Sequence, residues 1–288
     1  MDRVTIVIVT YNAAATLRQC IDSIIRQQYP QKEIVVVDGG SSDETCSIIS
    51  AYGGEIARWK SETDKGIYDA MNKGIRLATG KWILFLGADD TLHGQVLHDV
   101  FSAPSYTSSA LLLYGRVLIQ PGNRLQGGHT DFEQLIGGNI PHQGIFYDRQ
   151  LLLHHGGYDL HYPVLADYDL NLRIFQKRAA DTYFLDRIVA EFSSRGVSNR
   201  TIDAAFFTEK LAGFRQQPGL RARDPRLASY HFYSGLAYWL KKEYGRGLRN
   251  MLHSWFFSRR PLHYVLHTGA FFLALLGVGR RFRLAPPA

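Results

Sequence analysis

The sequence has only two cysteines, Cys20 and Cys46, with neither a CxxC pair nor the spacing of zinc ligands. Both read as core thiols in a reducing compartment. No stretch reaches the ~18 consecutive apolar residues that a membrane-spanning helix needs. The first apolar run, Val4 to Thr10, has no basic segment before it and no small-residue cleavage site after it, so it does not read as a secretory signal. Internal repeats and low-complexity tracts are also absent. Two nucleotide signatures are missing as well. A dinucleotide fold needs GxGxxG after its first strand, and here that strand runs into TYNAAA, which has no glycine to let a pyrophosphate approach. No GxxxxGK[ST] loop occurs either, so classical NAD and P-loop chemistry are disfavoured.

What is present is ordinary in bulk and uneven in detail. Hydrophobic residues make up 45% and charged residues 20% of 288, which fits one large globular domain or one domain with an appendage. Disorder is expected only at Leu284 to Ala288. The formal charge of +7 is concentrated in the tail: residues 221–288 hold twelve Lys or Arg against two acids, leaving −3 for residues 1–220. A basic tail implies either attraction to an anionic surface or a solvated helical face.

Short β-branched or apolar runs alternate with helical patterns over the first ninety residues. Val4 to Val9, Ile34 to Val37, Ile56 to Lys60 and Trp82 to Leu86 read as strands. Ala14 to Gln28, ended by Pro30, and Ile67 to Ala78, closed by Gly80, read as helices; Ser41 and Ser42 before Asp43 and Glu44 mark the start of another. This is the βαβ pattern of a parallel sheet covered on both faces. The pattern then changes. Leu111 to Ile119 and Arg124 to Gly127 flank a PGN turn and read as a hairpin. Asn139 to Tyr147 is a mixed segment holding PHQG. Asp148 to His154 and Asp167 to Arg178 read as helices, and Thr182 to Leu185 and Ile188 to Phe192 as two short strands. Everything from Thr201 reads as helical. A domain over 1–200 and a helical, basic region over 201–288 are expected.

Two of the strands end in carboxylates. Val35 to Val37 deliver Asp38, and Ile83 to Leu86 delivers Asp89 and Asp90. In open α/β sheets ligands bind outside the carboxyl ends of the strands. Three acids there point to a polar ligand held through a divalent cation.

Four motifs then stand in order: TYN at Thr10 to Asn12, VVVDGGSSDET at Val35 to Thr45, SETDKGIYDAMNKG at Ser61 to Gly74, and FLGADD at Phe85 to Asp90. Together they resemble a family 2 glycosyltransferase of the GT-A fold, polysaccharide-biosynthesis type. The resemblance continues through PHQG and ADYDL to about residue 195. It implies a Rossmann-like, mixed but mostly parallel sheet flanked by helices, with a helical C-terminal extension. It implies an inverting, metal-dependent enzyme that moves one sugar from a nucleoside diphosphate, UDP by expectation, to a saccharide or lipid-linked acceptor. By the same resemblance Thr10, Tyr11 and Asn12 line the nucleotide pocket, Asp38 bonds the base or ribose, and Asp64 and Lys65 lie along the donor. Asp69 and Asn72 share a helix face beside them. Asp89 is the expected ligand of Mn²⁺ or Mg²⁺, with Asp90 as a second ligand or ribose partner. Relatives often read DSDD where this chain has Gly87-Ala88-Asp89-Asp90, so the first acid is lost. Asp167 in ADYDL is the implied base, with Ala166 in place of the usual Glu and Asp169 ranked second. A carboxylate suits the task, because the acceptor hydroxyl releases its proton late in the displacement. His142 and Gln143 resemble an acceptor-side or diphosphate-side loop. Arg195 in SSRGVS stands where a loop closes on the diphosphate, and Arg can grip phosphate with two parallel bonds. The QxxRW motif of processive relatives is missing, which favours single-sugar addition.

The resemblance does not reach the tail. Leu248, Met251, Leu252, Trp255 and Phe256 follow helical spacing, flanked by Arg246, Arg249, Arg259 and Arg260. Gly269 to Gly279 is a nearly continuous apolar run, too short to span a bilayer but suited to lying in its interface. A peripheral contact at the inner face of the cell membrane, from the cytoplasm, is the expectation; an oligomer contact is the alternative, and the oligomeric state stays open. Nucleic acid is not expected as a partner, because no recognition module accompanies the charge. Two competing readings are a non-catalytic sugar-nucleotide-binding or scaffolding protein of the same fold, and a nucleotidyltransferase. The second would need a Gly-rich basic loop where TYNAAA stands.

Overall fold

The computed structural model describes residues 1–102, 109–193, 201–217, 220, 223–275 and 283–284. The chain divides into two compact units, the first made of Met1–Phe132, Asn139–Leu160 and Leu170–Ser194, the second of Glu133–Gly138, His161–Asp169 and Arg195–Ala288.

The first unit is built on β1 (Val4–Thr10), every residue of which is buried. On either side of it run β2 (Lys32–Asp38) and β4 (Trp82–Gly87), both parallel to it, in a register that sets Thr10 beside Asp38 and Val9 beside Gly87. Their unbroken apolar runs are what burial on both faces requires. Beyond β2 lies β3 (Ile56–Ser61), which is largely exposed. On the far side of β4 the sheet turns mixed: β8 (Ile145–Asp148) runs antiparallel to β4, and β6 (Leu112–Gln120) antiparallel to β8. Then β9 (Thr182–Ser193) runs parallel to β6, and β5 (Thr91–Leu92) closes that side. The PGN turn joins β6 to β7 (Arg124–Gln126) as the sequence implies.

The helices of this unit are amphipathic covers. Leu17, Cys20, Ile21 and Ile24 of α1 (Leu17–Ile25) join the core with α2 (Thr45–Ala51) and α4 (Val96–Phe101). On α3 (Ile67–Leu77) Gly74 faces Val7 of β1 so closely that a Cβ there would lie 2.3 Å from Val7 Cγ1. Asp148 caps α6 (Arg149–His154) by accepting from the backbone of Gln150 and Leu151. The short α5 (Phe132–Leu135) and the longer α7 (Ala166–Arg178) carry residues of both units.

Several boundaries differ from expectation for local reasons. The helix expected from Ala14 starts at Leu17, since the N–H groups of Ala13 and Ala14 are bound to Thr45 and Asp43. The helix expected after Ser41 and Ser42 starts at Thr45, because both serines serve the preceding loop. The two strands expected around Asp186 are one, β9, with a shifted register opposite Tyr114 to Val117. Gly115 permits this, for a Cβ there would stand 2.6 Å from the Arg187 carbonyl. Cys20 is a core thiol, whereas Cys46 is only half-buried. Neither β5 nor α4 is long enough to show a period.

The second unit is mainly helical: α8 (Ala204–Phe214), α9 (Ala228–Leu240), α10 (Tyr244–Phe257) and α11 (Pro261–Leu275). Its core gathers Ile202, Phe232, Leu236, Met251 and Phe271. A short parallel pair, β10 (Thr201–Ile202) with β11 (Arg283–Leu284), corrects the all-helical expectation. The face expected on α10 is divided: Met251 is buried and Trp255 half-buried, but Leu248 and Phe256 are exposed. Among the described residues no helix is long and apolar enough to cross a membrane. Residues 285–288 lie outside the described residues.

Replacing Gly74 by Ala tests the packing of α3 on β1. Alanine favours a helix by about 1 kcal/mol, but the Val7 contact imposes an overpacking cost of about 1–3 kcal/mol. The expected result is a lower urea midpoint at unchanged slope. A rise in the midpoint would show that the helix can retreat from the sheet.

Candidate active site

Asp38 is fully buried at the end of β2. A buried carboxylate must be matched by donors, and this one is. Its Oδ2 accepts from Gly40 N at 3.1 Å, Ser41 N at 2.9 Å and Ser61 Oγ at 2.6 Å, and its Oδ1 accepts from Ser41 Oγ. Burial pushes the carboxyl up, but donation from Ser41, Ser61 and Cys46 outweighs it and holds Asp38 below the usual carboxylate range. Much of the hydrogen-bonding capacity that the resemblance assigns to a base or ribose is thus used within the protein. The carboxylate organises the loop from Gly39 to Ser42, where Gly40 takes a left-handed φ of 83°.

That loop is tied to the turn after β1. Asn12 N donates to Ser41 Oγ at 2.8 Å, and Ser42 N donates to Asn12 Oδ1 at 2.9 Å. Asn12 itself has φ 49°, a region asparagine tolerates better than most residues. Further along, Ala13 N donates to Thr45 Oγ1 and Ala14 N to Asp43 Oδ2. The TYN and DGGSSDET motifs therefore form one stitched platform. Tyr11 projects from it, 66% exposed. Thr10 is buried, and among the described residues its Oγ1 has no hydrogen-bond partner.

Asp64 comes to the same place from the loop after β3. A Cβ on Gly39 would lie 2.6 Å from Asp64 Oδ2 and 3.5 Å from the Tyr11 ring. Gly39 thus gives Asp64 and Tyr11 the space to converge. The other Asp64 oxygen accepts from Gly66 N at 2.8 Å, leaving the carboxylate half-buried beside an exposed aromatic ring. Lys65 is exposed; its N–H donates to Asp69, whose carboxylate also pairs with Lys73. Asn72 holds the backbone of Tyr158 through two hydrogen bonds. Asp69 and Asn72 thus have structural partners.

The acid turn closes β4. Asp90 is 3% exposed; its Oδ2 accepts from Gly87 N at 2.9 Å and from Gln143 Nε2 at 3.1 Å. Gln143 and His142 arrive on a single 3₁₀ turn, His142–Gly144. Burial and then the charge of Asp89 push the Asp90 carboxyl up to about 6, against the bonds from Gln143 and Gly87. Asp89 is exposed. Asp89 Oδ1 and Asp90 Oδ2 each lie 3.0 Å from the point where a Cβ on Gly87 would sit. A larger residue at 87 would therefore crowd both acids. Among the described residues no group of three or more His, Cys, Asp or Glu gathers to hold a metal. Two like-charged carboxylates on one turn still suit a hard cation that takes one or two carboxylates and completes its shell with phosphate and water.

Asp167 belongs to the second unit, 6% exposed on the first turn of α7. The segment leading into it is held by buried Asp203, whose Oδ2 accepts from Val164 N at 3.0 Å and Leu165 N at 3.1 Å while Oδ1 accepts from Phe206 N at 3.1 Å. Asp169, the second-ranked candidate, is ion-paired with Lys210. Arg195 lies outside the described residues. Ser41 reads in the sequence as a helix start rather than as a partner of Asp38, and the roles of Gly39, Ser61 and Asp203 come from contacts across the chain that no local motif records.

Residues 5–184 match the model of glycosyl transferase family 2. Over 208 residues the chain is 43% identical to a PGL/p-HBAD biosynthesis glycosyltransferase of Mycobacterium tuberculosis (strain ATCC 25177 / H37Ra), covering 70% of this chain and 81% of that one. Among solved structures it resembles S. aureus TarS 1–349 in complex with UDP-GlcNAc, with TM-score 0.67, 16% identity and coverage of 88% and 80%. It also resembles mannosyltransferase PcManGT from Pyrobaculum calidifontis in complex with GDP-Man and Mn²⁺, with TM-score 0.57, 19% identity and coverage of 95% and 81%. These likenesses show the GT-A fold.

The Asp90 environment predicts a pH signature. Between about pH 4 and pH 6 the folded protein keeps a proton that the unfolded chain has released, so this group's contribution to stability falls as pH rises through that window. Asp90→Asn is expected to flatten the slope and to stabilise the metal-free protein at neutral pH by up to about 3 kcal/mol. Chemical denaturation across pH measures both. An unchanged slope in the variant would mean that Asp90 ionises without cost.

Proposed function

Because this chain belongs to glycosyl transferase family 2, we propose that it moves a single sugar, with inversion, from a nucleoside-diphosphate donor to a saccharide or lipid-linked acceptor. UDP is the proposed nucleotide. The observation that carries the reading is the platform at the ends of β1 and β2, where Tyr11 and the Asp64 carboxylate converge over Gly39. An exposed ring offers a base a stacking face, and a carboxylate beside it accepts from a uracil N–H or a ribose hydroxyl. The acid turn of Asp89 and Asp90 ends β4, and β4 pairs with β1, so the diphosphate has an adjacent place to lie. The likeness to TarS, solved with UDP-GlcNAc, and to PcManGT, solved with GDP-Man and Mn²⁺, supports the same arrangement.

In this reading Asp89, with Asp90 behind it, holds Mn²⁺ or Mg²⁺. When bound, the cation supplies neutralising charge to the departing diphosphate. Thr10 and Asn12 shape the pocket around the base, Asp38 sets the loop that carries it, and Lys65 and His142 lie along the donor. Asp167 accepts the proton of the acceptor hydroxyl as the new oxygen–carbon bond forms at the anomeric carbon. The bond to the diphosphate breaks on the opposite face, and its electron pair leaves with the nucleotide. Arg195 is proposed to meet the diphosphate. The matched relative is named for PGL/p-HBAD biosynthesis; for this chain a lipid-linked acceptor and a place at the inner face of the cell membrane are proposed.

Two variants separate these roles. Asp89→Ala is expected to abolish the Mn²⁺-dependent part of UDP binding in calorimetry. Asp167→Asn is expected to leave that binding intact and to slow transfer by roughly 10²–10⁴-fold. Wild-type transfer in either variant would contradict the assignment. Binding by the native chain without turnover on any acceptor extract would favour a non-catalytic binding protein.

A further inference from the structure

In the described part of the second unit, α10 and α11 each carry exposed apolar side chains. On α10, Leu248, Leu252 and Phe256 form a stripe at four-residue spacing, and Phe256 is 75% exposed. On α11 the inward stripe is Tyr264, Thr268, Phe271 and Phe272, anchored by Trp255 Nε1 donating to Thr268 Oγ1 at 3.2 Å. A second stripe of Leu262, Val265, Leu266 and Leu273 is exposed instead. Of the fourteen large hydrophobic side chains exposed among the described residues, seven lie from Tyr244 to Leu273, so the exposure is concentrated in these two helices.

The charge beside this face has one sign. Only two acids stand in residues 221–288, and both are engaged: Asp224 with Arg226, and Glu243 with Arg246. Among the described residues Arg249, Arg259 and Arg260 make no ion pair. The α10 stripe forms one wall of a cavity of about 470 Å³ that Arg223, Arg249 and His253 also line. His253 is held below its ordinary value by burial and by the positive field of Arg215, Arg223 and Arg249. Among the described residues its Nδ1 is buried with no hydrogen-bond partner. A second cavity of about 270 Å³ is lined by Arg226, Arg259, Arg260 and His263. Concentrated positive charge bordering exposed apolar surface calls for an occupant that is anionic at one end and apolar at the other.

We propose that the α10–α11 face docks on a bilayer of anionic phospholipid, with Leu248, Phe256, Leu262 and Leu266 entering the acyl boundary and Arg249, Arg259 and Arg260 meeting headgroup phosphates. Neither helix need cross the bilayer for this; both lie in its interface. The surface would hold the enzyme where a lipid-linked acceptor presents its sugar, and in that respect it rests on the acceptor reading above.

The test is co-sedimentation of the full chain with vesicles of phosphatidylcholine alone and of phosphatidylcholine with phosphatidylglycerol. Sedimentation with the anionic vesicles only, weakened by salt, is expected. Arg249→Gln with Arg260→Gln should lower partitioning by on the order of tenfold or more. Phe256→Ser with Leu266→Ser should abolish it; both positions are exposed, so thermal melting is expected to stay unchanged. UDP binding is measured on the native chain and on the same variants: the variants are expected to keep it, and a native chain that binds UDP but neither vesicle type overturns the membrane face and leaves the donor site standing. A dimer in light scattering that the serine variants dissolve, with no sedimentation of the native chain, also overturns the proposal and assigns the face to a second copy. Equal sedimentation with both vesicle types overturns the role of the arginines.

Discussion

The platform at the ends of β1 and β2 depends on one buried charge. Asp38 sits at the end of β2 with no exposure to water, and a carboxylate in that position is tolerable only if the backbone turns to donate to it. Gly40 and Ser41 do so, and the Ser41 hydroxyl passes the connection to Asn12 on the neighbouring strand end. One side chain thus fixes the shape of the loop after β2 and, through a single relay, of the turn after β1. The exposed ring of Tyr11 and the carboxylate of Asp64 inherit their positions from that arrangement. Polar networks of this kind are strong when every member is satisfied and costly when one is lost.

The acid turn after β4 obeys the opposite logic. Asp38 is saturated with donors and held ionised, whereas Asp90 receives two donors, faces a second carboxylate, and is pushed toward its neutral form. A group with that imbalance gains most from a cation. The two environments lie on strands that flank β1, so a ligand spanning them meets an aromatic ring with a hydrogen-bonding carboxylate beside it at one end and two adjacent acids at the other. That polarity matches a nucleoside joined to a diphosphate and its metal.

Much of this was legible in the sequence, though unevenly. The strand–helix alternation over the first ninety residues is visible because strands buried on both faces must be largely apolar, and Ile6 to Val9, Ile34 to Val37 and Trp82 to Leu86 are continuously so. The TYN, DGGSSDET and GADD segments stand out because they interrupt those runs with polar residues at strand ends. The mixed half of the sheet was harder: β5 has two residues, and the bulge that makes β9 a single strand depends on Gly115 meeting Arg187 across the sheet. The serines around Asp38 looked like a helix start, because a hydroxyl before an acid has the same appearance whether it caps a helix or serves a buried carboxylate. Burial also redistributed the tail. The spacing of Leu248 to Phe256 announces an amphipathic helix but cannot say that Met251 turns inward while Leu248 and Phe256 face out.

The central claim is that the nucleotide lies on the Tyr11–Asp64 platform with its diphosphate toward Asp89. A crystal structure of the chain with UDP and Mn²⁺ tests it most directly. The uracil ring is expected against Tyr11, a ribose or uracil donor on Asp64, and the cation within bonding distance of an Asp89 oxygen. A nucleotide seated elsewhere on the sheet, or a cation that leaves Asp89 untouched, would contradict it.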